Sequence, residues 1–156
     1  MFVISATIVI GVLLASLFAL AFITGKRFGI LGLGLAAGTL LASQTLLPLE
    51  TIFQLFQEFL GGISPAQATA ILLLLAPSII LMFSGGSRYH SSKMKLLGAL
   101  LYTVMAGFAI LPFVMSQMEI PDEIKNVVMT AHTSALAIGV VIAVVDCFIT
   151  RHHKKR

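Results

Sequence analysis

Apolar runs alternate with short polar segments along the whole chain. Five stretches stand out, at 2–24, 28–47, 65–84, 96–115 and 127–149. Each is about 20 residues long, and a helix of that length, rising about 1.5 Å per residue, crosses a hydrocarbon core of roughly 30 Å. The first two are joined by Gly25-Lys26-Arg27-Phe28-Gly29, a tight basic turn that makes them a hairpin. The third opens on Ser64-Pro65, an N-cap residue followed by Pro at the first helical position. The fifth begins with an extension from Pro121, in which Asp122 and Glu123 suit the positive end of the helix dipole. No strand-like alternation persists. The pattern predicts an all-α, polytopic helical membrane protein with five transmembrane helices, forming a single domain over 1–156 with a short basic tail at 151–156.

Between the second and third stretches, residues 51–60 place Ile52, Phe53, Leu55, Phe56, Phe59 and Leu60 on one side of a helix. Thr51, Gln54, Gln57 and Glu58 fall on the other. Ten residues are too few to span, so this segment is expected to lie in the outer interface; a packing helix that caps the bundle is the alternative. The first stretch is expected to be retained, because it lacks a basic n-region and its apolar part exceeds the usual length of about 7–15 residues.

Composition sharpens this picture. The chain is 58% hydrophobic and 10% charged, with a mean hydropathy of +1.05, whereas soluble domains are about a quarter charged. The formal charge of +4 comes from short loops and the tail, which makes it a matter of topology; no nucleic-acid footprint is visible. Lys26 and Arg27 occupy the first loop, Glu50 and Glu58 the second. The third carries Arg88, Lys93 and Lys95; the fourth carries Glu119, Asp122, Glu123 and Lys125; the tail ends in Arg151, Lys154, Lys155 and Arg156. Basic and acidic segments alternate throughout. By the positive-inside rule the N-terminus is outside, and loops one and three and the C-terminus are cytoplasmic, in a cytoplasmic (inner) membrane.

Small residues recur every four positions. Gly11, Ala15 and Ala19 do so in the first stretch, Gly34, Gly38 and Ala42 in the second, and Ala131, Ala135, Gly139 and Ala143 in the fifth. Such ridges let helix backbones approach closely. They serve either packing within the bundle or association of copies. The short basic turn favours the first and predicts that stretches one and two pack on each other.

Few residues are candidates for chemistry. Asp146 is the one acid inside an apolar stretch, where carboxylates often mark ion paths. It also lies about one turn from Arg151, so pairing with the basic tail at the interface is the expected reading. Pro77 interrupts the third stretch and frees the carbonyl of Leu73, which predicts a kink, with Ser78 placed to satisfy the freed group. His132 is the one histidine within an apolar stretch, which does not suit a haem with two axial ligands. The tail from Arg151 to Arg156 reads as a stop-transfer anchor, with metal or anionic lipid binding as the alternative. Cys147 is the sole cysteine. No phosphate-binding, zinc or nucleophile motif is present, so no enzyme, cofactor or metal is expected.

Several of these features together resemble the colicin V production (CvpA-like) family. They are the hairpin with its Gly-Lys-Arg-Phe-Gly turn, the glycine-rich second stretch, the short amphipathic segment, and Lys95-Leu96-Leu97-Gly98-Ala99-Leu100-Leu101 opening the fourth. The likeness covers roughly 7–115; the fifth stretch has no counterpart in the common four-helix form. It implies an accessory role in toxin export or envelope-stress tolerance and carries over no catalytic residue. The expected function is a non-enzymatic accessory or scaffold component of a bacterial envelope or export system, in contact with the lipid bilayer and with protein partners or further copies. The alternative is a small oligomeric channel or transporter that uses Asp146 and the Pro77 kink.

Overall fold

The computed structural model describes residues 2–43, 64–84, 86–115 and 121–153. The described residues form five helices: α1 (Phe2–Thr24), α2 (Phe28–Ser43), α3 (Pro65–Phe83), α4 (Ser92–Met115) and α5 (Asp122–His153). The all-α expectation holds. By length and composition α3, α4 and α5 can each cross a membrane; the 8–24 part of α1 and the whole of α2 are shorter apolar helices. The expected amphipathic segment at 51–60 lies outside the described residues. Two elements are longer than the apolar pattern suggested. α4 starts at Ser92 and so includes Lys93 and Lys95; α5 runs unbroken through His153, into the basic tail.

Local chemistry sets the helix ends. Gly25 closes α1 with φ +58°, and its amide donates to the carbonyl of Ala21 at 3.0 Å. This is the left-handed C-terminal cap that glycine adopts without a Cβ penalty. Ser64 caps α3 as expected: its hydroxyl accepts from the Gln67 amide, and the Gln67 side chain accepts from the Ser64 amide. The second half of that capping box is also readable, since Ser-Pro-Ala-Gln fits its spacing. Gln67 further donates to the Phe113 carbonyl at 3.2 Å, tying the start of α3 to the end of α4.

Packing departs from the hairpin expectation. α2 is the central helix. Its principal neighbour is α3, followed by α5 and α4, while α1 packs on α4. α1 and α2 are therefore not principal packing partners, although three residues join them. The reason lies in the small-residue faces. Gly34 and Gly38 are buried, and a Cβ at either would run into α3: at Gly34 it would stand 3.0 Å from the Ser78 Cα, and at Gly38 it would overlap the Leu74 carbonyl. Ala42 is buried on the same face. In contrast Gly11, Ala15 and Ala19 are exposed, and nothing lies within 4 Å of a Cβ at Gly11. α1 instead uses its Leu14–Leu17–Ala21 side, with Leu14 seated 3.7 Å from where a Cβ of Gly107 would stand. On α5 the ridge turns inward along its length. Ala131 is exposed, Ala135 and Gly139 are half-buried, and Ala143 is fully buried against Gly32.

Pro77 lies within α3, which continues to Phe83. Ser78 does not serve the carbonyl of Leu73 as expected. Its hydroxyl donates to the Leu75 carbonyl at 2.8 Å and lies 2.7 Å from the hydroxyl of Tyr102 on α4. Both residues are fully buried, so this pair is a polar cross-link at the α3–α4 contact.

Candidate functional site

Among the described residues, the densest polar cluster lies where the α1–α2 turn, the α3–α4 loop and the last third of α5 converge. The turn and the loop are cross-linked by backbone: Lys26 and Arg88 form an isolated antiparallel bridge, and the Tyr89 amide donates to the Gly25 carbonyl at 2.8 Å. Lys26 is only 2% exposed, and its ammonium donates to the Ser84 carbonyl. The buried charge thus sits on the C-terminal end of α3, where the helix dipole favours a cation.

Asp146 reaches this junction from α5. One carboxylate oxygen accepts from the Arg27 guanidinium at 2.7 Å. The other accepts from the Gly29 amide at 2.9 Å and lies 3.4 Å from the Tyr89 hydroxyl. That hydroxyl in turn accepts from the Phe28 amide at 3.2 Å. Phe28 and Gly29 open α2, so two of the amides that a helix start leaves unsatisfied are met by side chains from other elements. The amides of Ile30 and Leu31 turn back to the Arg27 carbonyl. Arg27 also lies over the Tyr89 ring, 5.3 Å from its centroid, within cation–π reach.

Close approach makes the junction possible. A Cβ at Gly29 would stand 2.6 Å from the Ala143 carbonyl and 2.7 Å from the Cys147 sulfur. A Cβ at Gly98 would stand 2.5 Å from the Tyr89 ring. The Arg27 and Asp146 side chains are 19% and 17% exposed, mostly withdrawn from water. The hydrogen bond that Arg27 donates to Asp146 strengthens its hold on its proton against the opposing effect of burial. Burial pushes the Tyr89 hydroxyl above its ordinary value, against the bond it accepts from Phe28.

Sequence reasoning singled out Asp146 and paired it with the tail. The structure pairs it with Arg27, 119 residues earlier in the chain. Arg27, Gly29 and Tyr89 were not recognised as its partners. The available signal was the alternation of loop charges, which sets the first turn, the third loop and the end of the fifth stretch at the same end of the bundle. His132 lies near the opposite end of α5. It faces a cavity of about 300 Å³ with Thr39, Ser43, Leu74 and Phe113, and its Nδ1 has no hydrogen-bond partner among the described residues. No known protein family, curated protein or solved structure matches the chain.

Proposed function

We propose that this chain is an integral membrane protein of the cytoplasmic membrane and acts as a non-enzymatic accessory or scaffold component of a bacterial envelope or export system. All five helices are inserted, with the N-terminus outside and the C-terminus in the cytoplasm. The observation that carries the reading is the engagement of Asp146. The one carboxylate in an apolar stretch caps α2 and pairs with Arg27, so it joins helices together instead of facing a pathway. The length and hydropathy of α3, α4 and α5 support insertion, and the alternation of basic and acidic loops supports the orientation. The likeness of 7–115 to the CvpA-like family supports the envelope context.

A small channel or transporter is the second reading. The His132 cavity and its unpartnered nitrogen favour it. Purified protein in liposomes separates the two. The scaffold reading expects no ion or solute flux above that of protein-free vesicles; flux abolished by His132→Ala would overturn it. Orientation is tested by cysteine labelling at Ser91→Cys in a Cys147→Ser background. Ser91 is exposed in the α3–α4 loop, and labelling by an impermeant reagent from outside intact cells would reverse the assignment.

A further inference from the structure

Among the residues whose side chains are described, five cations lie at the end of the bundle that holds Arg27: Lys26, Arg27, Arg88, Lys93 and Lys95. Their surroundings divide them. Lys26 is engaged with the Ser84 carbonyl and Arg27 with Asp146. Lys95 is half-buried, its methylene stem lying over Gly25. Arg88 and Lys93 are exposed, and neither is paired with an acid among the described residues. Arg88 does not sit on a loose loop, because the bridge to Lys26 and the Tyr89–Gly25 bond hold the backbone on either side of it. Directly beside Lys93, the side chains of Met94, Leu96 and Leu97 are exposed as well, and Phe83 is exposed at the end of α3.

We propose that Arg88 and Lys93, with the ammonium of Lys95, form a binding surface for the phosphate of anionic lipid headgroups. The apolar side chains beside them take the upper part of the acyl chains. With the helices inserted, Phe83, Leu96 and Leu97 end the apolar layer directly beside these cations, which sets the cations at headgroup depth, where lipid phosphate is the anion at hand. A lipid matches the cations and the apolar residues at once. The inference rests on the reading that the helices are inserted in a bilayer.

The test uses the full chain reconstituted in phosphatidylcholine vesicles with spin-labelled lipid. The signal of lipid immobilised at the protein is compared for phosphatidylglycerol and phosphatidylcholine labels of equal chain length. The expected preference for phosphatidylglycerol is on the order of fivefold at low salt, collapsing toward unity in molar salt as screening shortens to about 3 Å. Arg88→Gln/Lys93→Gln should lose most of it, and Lys93→Glu alone should reduce it, with thermal unfolding in phosphatidylcholine unchanged. Lys125→Gln, at the opposite end, should retain it. No preference in the unaltered protein, or full preference in the double variant, would overturn the proposal. Abolition by millimolar inorganic phosphate at constant ionic strength would overturn it too, by assigning the cations to a free anion. If insertion itself fails, no immobilised lipid of either headgroup appears, which is a different result.

Discussion

Asp146 of α5 caps α2 through the amide of Gly29 at 2.9 Å. A capping residue normally sits beside the helix start in sequence; here it comes from a different helix. One carboxylate thereby serves a helix N-terminus, where negative charge is favoured, and the neighbouring Arg27 cation. It also fixes where α5 sits, although Ala143 is the one α5 residue in the buried apolar core among the described residues.

Removing that carboxylate is expected to loosen α5. Exposed ion pairs contribute about 0–1 kcal/mol, and breaking a fully buried one costs about 3–5 kcal/mol. This mostly withdrawn pair falls between. Asp146→Ala, which loses pair and cap together, is expected to cost about 2–3 kcal/mol; Asp146→Asn, which keeps an acceptor for Gly29, should cost less. Thermal unfolding in detergent measures both. A double-mutant cycle with Arg27→Gln should return a coupling of about 1 kcal/mol or more, and a coupling of zero would mean that the pair contributes nothing.

The α2–α3 contact should be the least tolerant of added bulk. Gly38→Ala places a methyl against the Leu74 carbonyl of α3, and overpacking of this kind costs about 1–3 kcal/mol, occasionally more. Gly11→Ala, with open space around it, should leave the unfolding midpoint unchanged or slightly raised. Gly38→Leu should lower stability further while the mass of the detergent-solubilised particle stays constant, because the contact lies within one chain. A fall in particle mass would place that face between copies.

Ser78 and Tyr102 should fail singly and tolerate joint removal better. Ser78→Ala leaves the Tyr102 hydroxyl without this partner in the apolar core, at about 1–3 kcal/mol, whereas Tyr102→Phe leaves Ser78 bonded to the Leu75 carbonyl and should cost less. The double variant should cost clearly less than the sum of the two. Strict additivity in the melts would show that the hydroxyls do not depend on each other.

Alkaline titration reports on the junction. The Tyr89 hydroxyl is held above its ordinary value near 10 by burial. Its neutral form is therefore favoured in the folded state, so its contribution is fully present below about pH 10 and is lost as pH rises through the folded value. In a Tyr102→Phe background, tyrosinate absorbance should appear at higher pH than for free tyrosine, and stability should fall in that window. Tyr89→Phe should remove both effects. Ionisation at the ordinary value would mean that the ring is open to water.

The sequence alone determined the elements of this protein. Five apolar stretches, the Ser64 cap, the glycine at the end of α1 and the acidic first turn of α5 are local features, set by helix period and backbone chemistry within a few residues. Helix ends followed less closely: α4 begins at Ser92 and α5 reaches His153, because charged side chains do not stop a helix once it leaves an apolar layer. What only the tertiary structure decided is which faces meet. Gly11–Ala15–Ala19 and Gly34–Gly38–Ala42 carry the same spacing, yet one is exposed and the other pressed against α3. A ridge of small residues says that close approach is allowed and not which backbone approaches. The same holds for Asp146. Its sequence neighbours offered Arg151, whose side chain lies outside the described residues; among the described residues, the convergence of the first turn, the third loop and α5 brings Arg27, Gly29 and Tyr89 within reach of its carboxylate.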